Sequence, residues 1–100
     1  MRGEWKCRDW ELDYWSNKLE SDIEFIYQHN DEELDYTKHD ITPNQIGQIL
    51  TYIGWEFSQL ERDRDYRYET YYNEAYEGYY LIVSACISDF QLKIYLVEED

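Results

Sequence analysis

The sequence predicts an α+β fold: two helices packed on one face of a small antiparallel sheet, in the order α-α-β-β-β, closing on a C-terminal β-hairpin. Three observations predict it. Apolar residues recur at steps of three and four through the first part of the chain. "TPNQ" at positions 42–45 supplies a second helix start, and after the tyrosine-rich stretch the apolar period changes to two.

The first helix is expected from Asp9 to His29. Leu12, Trp15, Leu19, Ile23 and Ile26 form one apolar stripe, Asp9 is placed to cap the N-terminus, and Glu11 and Asp13 suit the positive end of the helix dipole. Asn30 is placed as the stop. At 100° per residue, Asp13, Asn17, Glu20 and Glu24 fall opposite the stripe, so the outer face of this helix is acidic.

Residues 30–41, "NDEELDYTKHDI", are polar and aperiodic and read as a loop carrying Asp31, Glu32, Glu33 and Asp35. In the second helix Thr42 is the N-cap, Pro43 takes the first helical position and Gln45 completes a capping box. Ile46, Ile49, Leu50, Ile53, Phe57 and Leu60 follow at helical spacing, which carries the helix to Glu61–Asp65. Gly47 and Gly54 each weaken it by about 1 kcal/mol relative to alanine, and their spacing allows another element to approach closely.

"YYLIVSACI" and "FQLKIYLV" read as two strands, the second with Phe90, Leu92, Ile94 and Leu96 on one face, joined by a tight turn at Ser88-Asp89. Residues 66–72 supply a first strand and complete a three-stranded meander. Positions 66–80, "YRYETYYNEAYEGYY", hold seven tyrosines. Tyrosine is a strong strand former that tolerates half-burial with its hydroxyl in water. Tyr80 and Tyr95 have the parity to share the sheet face away from the helices.

One hundred residues suit a single compact domain, 1–100, with one core. Nine Lys and Arg oppose 23 Asp and Glu, a net charge of −14 divided equally between the two halves of the chain. A small soluble domain ordinarily needs a net charge of only roughly 2–8. Low hydropathy with high charge favours disorder, but the large apolar areas of twelve tyrosines and four tryptophans favour a folded core with an acidic skin. Such a skin repels nucleic acid and anionic lipid and attracts basic protein surfaces. No apolar stretch approaches the roughly 20 residues of a membrane span, and no signal peptide is evident, so the expected location is cytoplasmic, or host-cytoplasmic for a phage-encoded chain. Cys7 and Cys86 are too few for a disulfide framework, and Cys86 reads as a small buried residue.

Reaction chemistry finds little to stand on. His29 and His39 flank the acidic loop, lie in no nucleophile motif, and read as surface histidines. "HNDEELDYTKHD" matches neither an H-E-x-x-H helix nor a zinc finger. Read as a calcium loop from Asp31, it places Tyr36 at the required glycine and Thr42 at the bidentate glutamate. No glycine-rich phosphate loop is present, and among 23 acids some carboxylate pair always falls at glycosidase spacing. The sequence therefore argues against an enzyme, with no metal and no cofactor expected.

What fits is competition for a basic surface. Carboxylates three or four residues apart on a helix lie about 5–6 Å from one another, and arginine pairs bidentately with carboxylate as it does with phosphate. The expected contact residues are Asp13, Glu20 and Glu24 on the first helix, Asp31, Glu32, Glu33 and Asp35 in the loop, and Glu69, Tyr71, Tyr72, Glu74, Tyr76 and Glu77 in the tyrosine stretch. In size, charge and lack of a catalytic motif the chain is similar to phage-encoded DNA-mimic inhibitors, including anti-CRISPR and anti-restriction proteins. That likeness implies a partner with a basic nucleic-acid-binding surface, a nuclease or effector complex, and no direct binding to nucleic acid or membrane. An immunity protein neutralising a nuclease toxin uses the same surface, and an adaptor domain with incidental acidity is the third expectation.

Overall fold

The computed structural model describes residues 11–29, 33–39, 41–86, 88–89 and 91–99. They form an α+β fold whose two helices lie on one face of an antiparallel sheet. The sheet has five strands rather than three, in the order β1-β5-β4-β3-β2.

Helix α1 (Leu12–His29) buries Leu19, Ile23 and Ile26, with Leu12 and Trp15 half-buried at the margin of the core. Asp13, Asn17, Glu20 and Glu24 are exposed opposite that stripe, where the 3.6-residue period puts them. The expected cap at Asp9 and stop at Asn30 lie outside the described residues. His29 Nδ1 donates to the Phe25 carbonyl at 2.9 Å in the last turn, and its ring stacks on Phe25 at 4.1 Å.

The expected loop contains a short strand, β1 (Glu33–Asp35), antiparallel to the last strand of the chain. Three residues are too few for a period to register in sequence, and the pairing that creates this strand comes from Lys93–Tyr95, far along the chain. His39 is not a free surface side chain either. It stacks on Tyr36 at 4.7 Å and meets the edge of Trp15 at 5.8 Å.

Helix α2 (Pro43–Tyr52) starts as expected. Thr42 Oγ1 accepts from Gln45 N at 3.2 Å and Gln45 Oε1 accepts from Thr42 N at 2.8 Å. It ends nine residues or more before the expected boundary. Gly54 turns the backbone to φ +108°, and Trp55 N donates to the Leu50 carbonyl at 2.8 Å, closing the end. Residues Glu56–Asp63 are then a strand, β2, not helix. The misleading signal has a physical source. A register shift between Phe57 and Gln59 inserts an extra residue, so Phe57 and Leu60, three apart, face the same side of a strand. A bulge thus imitates helical spacing.

β2 pairs with β3 (Tyr66–Tyr72) through a two-residue turn in which Arg64 sits at φ 61°. After a 3-10 turn at Glu74–Tyr76, β4 (Tyr79–Cys86) and β5 (Gln91–Glu98) complete the expected meander. Ser88-Asp89 forms the turn between them, and Phe90 lies outside the described residues. Leu81, Val83 and Ala85 of β4 and Leu92, Ile94 and Leu96 of β5 face the helices and form the core with Ile46, Ile49 and Leu50 of α2. Burying each large aliphatic of this set contributes about 1.5–3 kcal/mol. Register places Tyr80 and Tyr95 together on the opposite face. Cys86 shares that parity and is buried there rather than within the core cluster. Among the described residues no helix is long and apolar enough to cross a membrane.

Candidate functional site

The tyrosine stretch divides by parity on β3. Tyr71 lies on the inner face with Arg67 and Glu69, while Tyr66, Tyr68, Thr70 and Tyr72 face outward. Tyr71 is only 3 % exposed, and its hydroxyl donates to Glu69 at 2.9 Å. Arg67 donates to the other oxygen of Glu69 at 3.0 Å. Burial and the Glu69 contact push the Tyr71 hydroxyl well above its ordinary range, so it remains a donor. Tyr71 and Glu69, both expected as partner contacts, are therefore a neutralised polar ladder beside α2, on the sheet face that meets the helices.

Tyr76, also expected as a contact, is likewise turned inward. It is 9 % exposed, its ring stacks on Trp55 at 5.2 Å, and its hydroxyl donates to Glu24 at 2.7 Å. Burial first, and Glu24 second, raise this hydroxyl far above the usual tyrosine value. The side chain is a strut between the 3-10 turn and α1. Tyr72, by contrast, is 39 % exposed and leans on Tyr80 at 5.9 Å between ring centroids.

The remaining members of the stretch meet at one end of the sheet. Asn73 Oδ1 accepts from Ala75 N at 2.9 Å and starts the 3-10 turn, and Gly78 at φ +89° sends the chain into β4. Glu99 N donates to the Gly78 carbonyl at 2.7 Å and brings the end of the described chain alongside. The result is a recess of about 680 Å³ lined by Glu56, Glu74, Glu77 and Glu99 together with Tyr72, Tyr76 and Tyr79, with no basic side chain among the described residues of its wall. A second cleft of about 350 Å³ adjoins it, sharing Asn73 and Tyr76 and lined by Glu20 and Glu24 of α1. Two helix acids and two acids of the tyrosine stretch are thereby joined through the Tyr76–Glu24 hydrogen bond.

The chemistry available is cation binding by carboxylates beside aromatic rings. A charge pair at 4 Å gains about 1 kcal/mol in bulk water and about 4 kcal/mol near a protein surface of lower effective dielectric. Fully exposed pairs rarely contribute more than about 1 kcal/mol. The recess carboxylates are themselves exposed, so what the recess offers a guanidinium or ammonium is several carboxylates and aromatic rings around one opening rather than one strong pair. Among the described residues no three His, Cys, Asp or Glu side chains gather as metal ligands. The recess carboxylates are spread around a rim, which suits an organic cation reaching in on a long side chain.

The other expected contact residues lie elsewhere. Asp13 is exposed on the same face of α1 but two turns away, about 10 Å along the axis from Glu20. Asp31 and Glu32 fall outside the described residues. Glu33 pairs with Lys93 at 3.4 Å, and Asp35 accepts from Thr37 N at 2.9 Å; the Thr37 hydroxyl first and this N–H second lower the Asp35 pKa. Both belong to the outer sheet face at the edge opposite β2. Among the described residues, the acids of α1 and those of β1 therefore form separate groups.

Glu56, Glu99 and Tyr79 were not among the expected contacts. Glu56 lay within the span assigned to helix, and Glu99 had no periodic context. The signal that would have found the recess is the pair of glycines at 54 and 78, whose positive φ values bring its two walls together. Compared with protein-family models, curated proteins and solved structures, the chain shows no significant match.

Proposed function

We propose that this protein is an acidic inhibitor that occupies the basic nucleic-acid-binding surface of a nuclease or defence complex, in the manner of a phage-encoded DNA mimic. The observation that supports this most is the recess: four glutamates and three tyrosines around one opening, without a basic side chain among the described residues, in a chain of net charge −14. Lysine and arginine side chains that otherwise hold phosphates enter it, with arginine favoured because it pairs bidentately with carboxylate and lies flat on tyrosine rings. The adjoining acids Glu20 and Glu24 widen the contact, and Asp13 adds long-range attraction that speeds encounter. Because strands and capped turns hold the recess open before binding, little ordering opposes complex formation.

The experiment is competition. Partners captured from host extract on the immobilised protein are purified and titrated with labelled DNA or RNA, with and without the inhibitor. The expected result is loss of nucleic-acid binding that is reversed as salt rises. A partner that binds nucleic acid equally well in its presence, with the complex intact, overturns the proposal.

A further inference from the structure

β2 is the outermost strand of the sheet, with β3 its only neighbour among the described residues, and all eight of its residues are exposed. An open edge of this length presents unpaired backbone N–H and C=O groups to any extended chain that can align with it. Its two faces differ sharply. Glu56, Gln59, Glu61 and Asp63 share the outer face with Tyr72, Thr70, Tyr68 and Tyr66, their partners in register. Phe57, Leu60 and Arg62 lie on the inner face, where Phe57 is 54 % and Leu60 39 % exposed. Phe57 meets the ring of Tyr71 edge-on at 5.7 Å, so this apolar surface continues from the core.

We infer that the β2 edge accepts, as a sixth strand, a partner segment in which basic and apolar residues alternate. Opposed residues of paired strands project to the same face. A segment with arginine or lysine at every second position places those side chains against Glu56, Glu61 and Asp63, while the residues between them cover Phe57 and Leu60. Backbone hydrogen bonds supply part of the affinity, and the alternating faces supply the selection. A second copy of this chain is disfavoured at the same edge, because antiparallel pairing of two β2 strands brings Glu61 and Asp63 of each onto one face. The carboxylates that exclude self-association are thus the ones that select a basic strand. The inference does not depend on the partner being a nucleic-acid-binding protein.

The test uses the full chain and two synthetic ten-residue peptides of identical composition, one alternating arginine and valine, the other with five arginines followed by five valines. Amide hydrogen exchange is followed with and without each peptide. The alternating peptide is expected to bind at least tenfold more tightly and to slow exchange of amides in 56–63. N-methylation of its alternate residues, in the phase that faces β2, should abolish that protection. Leu60→Lys and Glu61→Lys should each weaken binding about tenfold or more, with unchanged melting temperature confirming the fold. Equal affinity for the two peptides, or binding without protection of β2, overturns the inference in favour of charge alone. A chain that sediments as a dimer with β2 amides already protected overturns it in favour of a second copy.

Discussion

The Tyr76 hydroxyl donates a 2.7 Å hydrogen bond to Glu24, 52 residues earlier in the chain, and so fastens the wall of the acidic recess to the acidic face of α1. A hydrogen bond to a charged acceptor contributes about 1.5–3 kcal/mol, and less where the acceptor is partly exposed, as Glu24 is. Tyr76→Phe should destabilise the fold by about 1 kcal/mol. In a double-mutant cycle with Glu24→Gln, chemical denaturation should show coupling of at least about 0.5 kcal/mol. Additive effects would mean that the ring stacked on Trp55, not the hydroxyl, carries the role of Tyr76.

Three buried tyrosines direct their hydroxyls at carboxylates: Tyr36 at Asp22, Tyr71 at Glu69 and Tyr76 at Glu24. In each case burial is the leading cause, with the carboxylate second, of a pKa raised well above the ordinary tyrosine value. The folded state therefore keeps protons that the unfolded chain releases near pH 10, so their contribution is complete below about pH 10 and is lost as pH rises beyond it. The melting temperature should decline steeply above pH 10. Tyrosinate absorbance should show three of the twelve tyrosines ionising only with unfolding. A titration in which all ionise together near pH 10 in the folded protein would contradict the buried geometry.

Much of this fold was legible because the local signals were strong and agreed with the tertiary outcome. The Thr42-Pro43-Gln45 cap, the Leu19-Ile23-Ile26 stripe and the alternation of Leu92, Ile94 and Leu96 each report one periodicity or one cap, and each is found where expected. Misreadings arose where geometry was non-local or disguised. The bulge at Ser58 gave Phe57 and Leu60 helical spacing, and β1 exists only because β5 pairs with it. The candidate site was half legible. Composition pointed to Glu74, Glu77 and Tyr72, but burial of Tyr71 and Tyr76 depends on which strand face meets the helices, and Glu56 and Glu99 join them only through chain folding.

Gly47 tests the packing of α2 on the sheet. A Cβ at this position would stand 2.9 Å from the Tyr71 hydroxyl oxygen, closer than real contacts allow. Helix propensity alone favours alanine by about 1 kcal/mol, whereas overpacking costs about 1–3 kcal/mol. Because Tyr71 is held by its bond to Glu69, the steric effect should win, and Gly47→Ala should destabilise by about 1 kcal/mol. In a Tyr71→Phe background, where the obstructing oxygen is gone, the same substitution should become neutral or stabilising. Equal cost in both backgrounds would place the obstruction elsewhere.

The recess and the open helix face make separable predictions about binding. Glu74→Lys with Glu77→Lys puts two cations into a wall that, among the described residues, holds four carboxylates and no base, so both attraction and fit are lost there. Partner affinity should fall at least a hundredfold, about 2.7 kcal/mol or more, chiefly through faster dissociation. Asp13→Lys removes one exposed carboxylate remote from the recess and should slow association by a few-fold at low salt, with little effect at 0.5 M salt, where screening is strong. Neither change should lower the melting temperature, since both sites are surface positions in a chain that already repels itself. Binding kinetics of the two variants across a salt series decide the matter. If Asp13→Lys weakens binding as much as the double substitution does, the contact is a diffuse acidic face, and the recess between the 3-10 turn and β2 is not where the partner's cation enters.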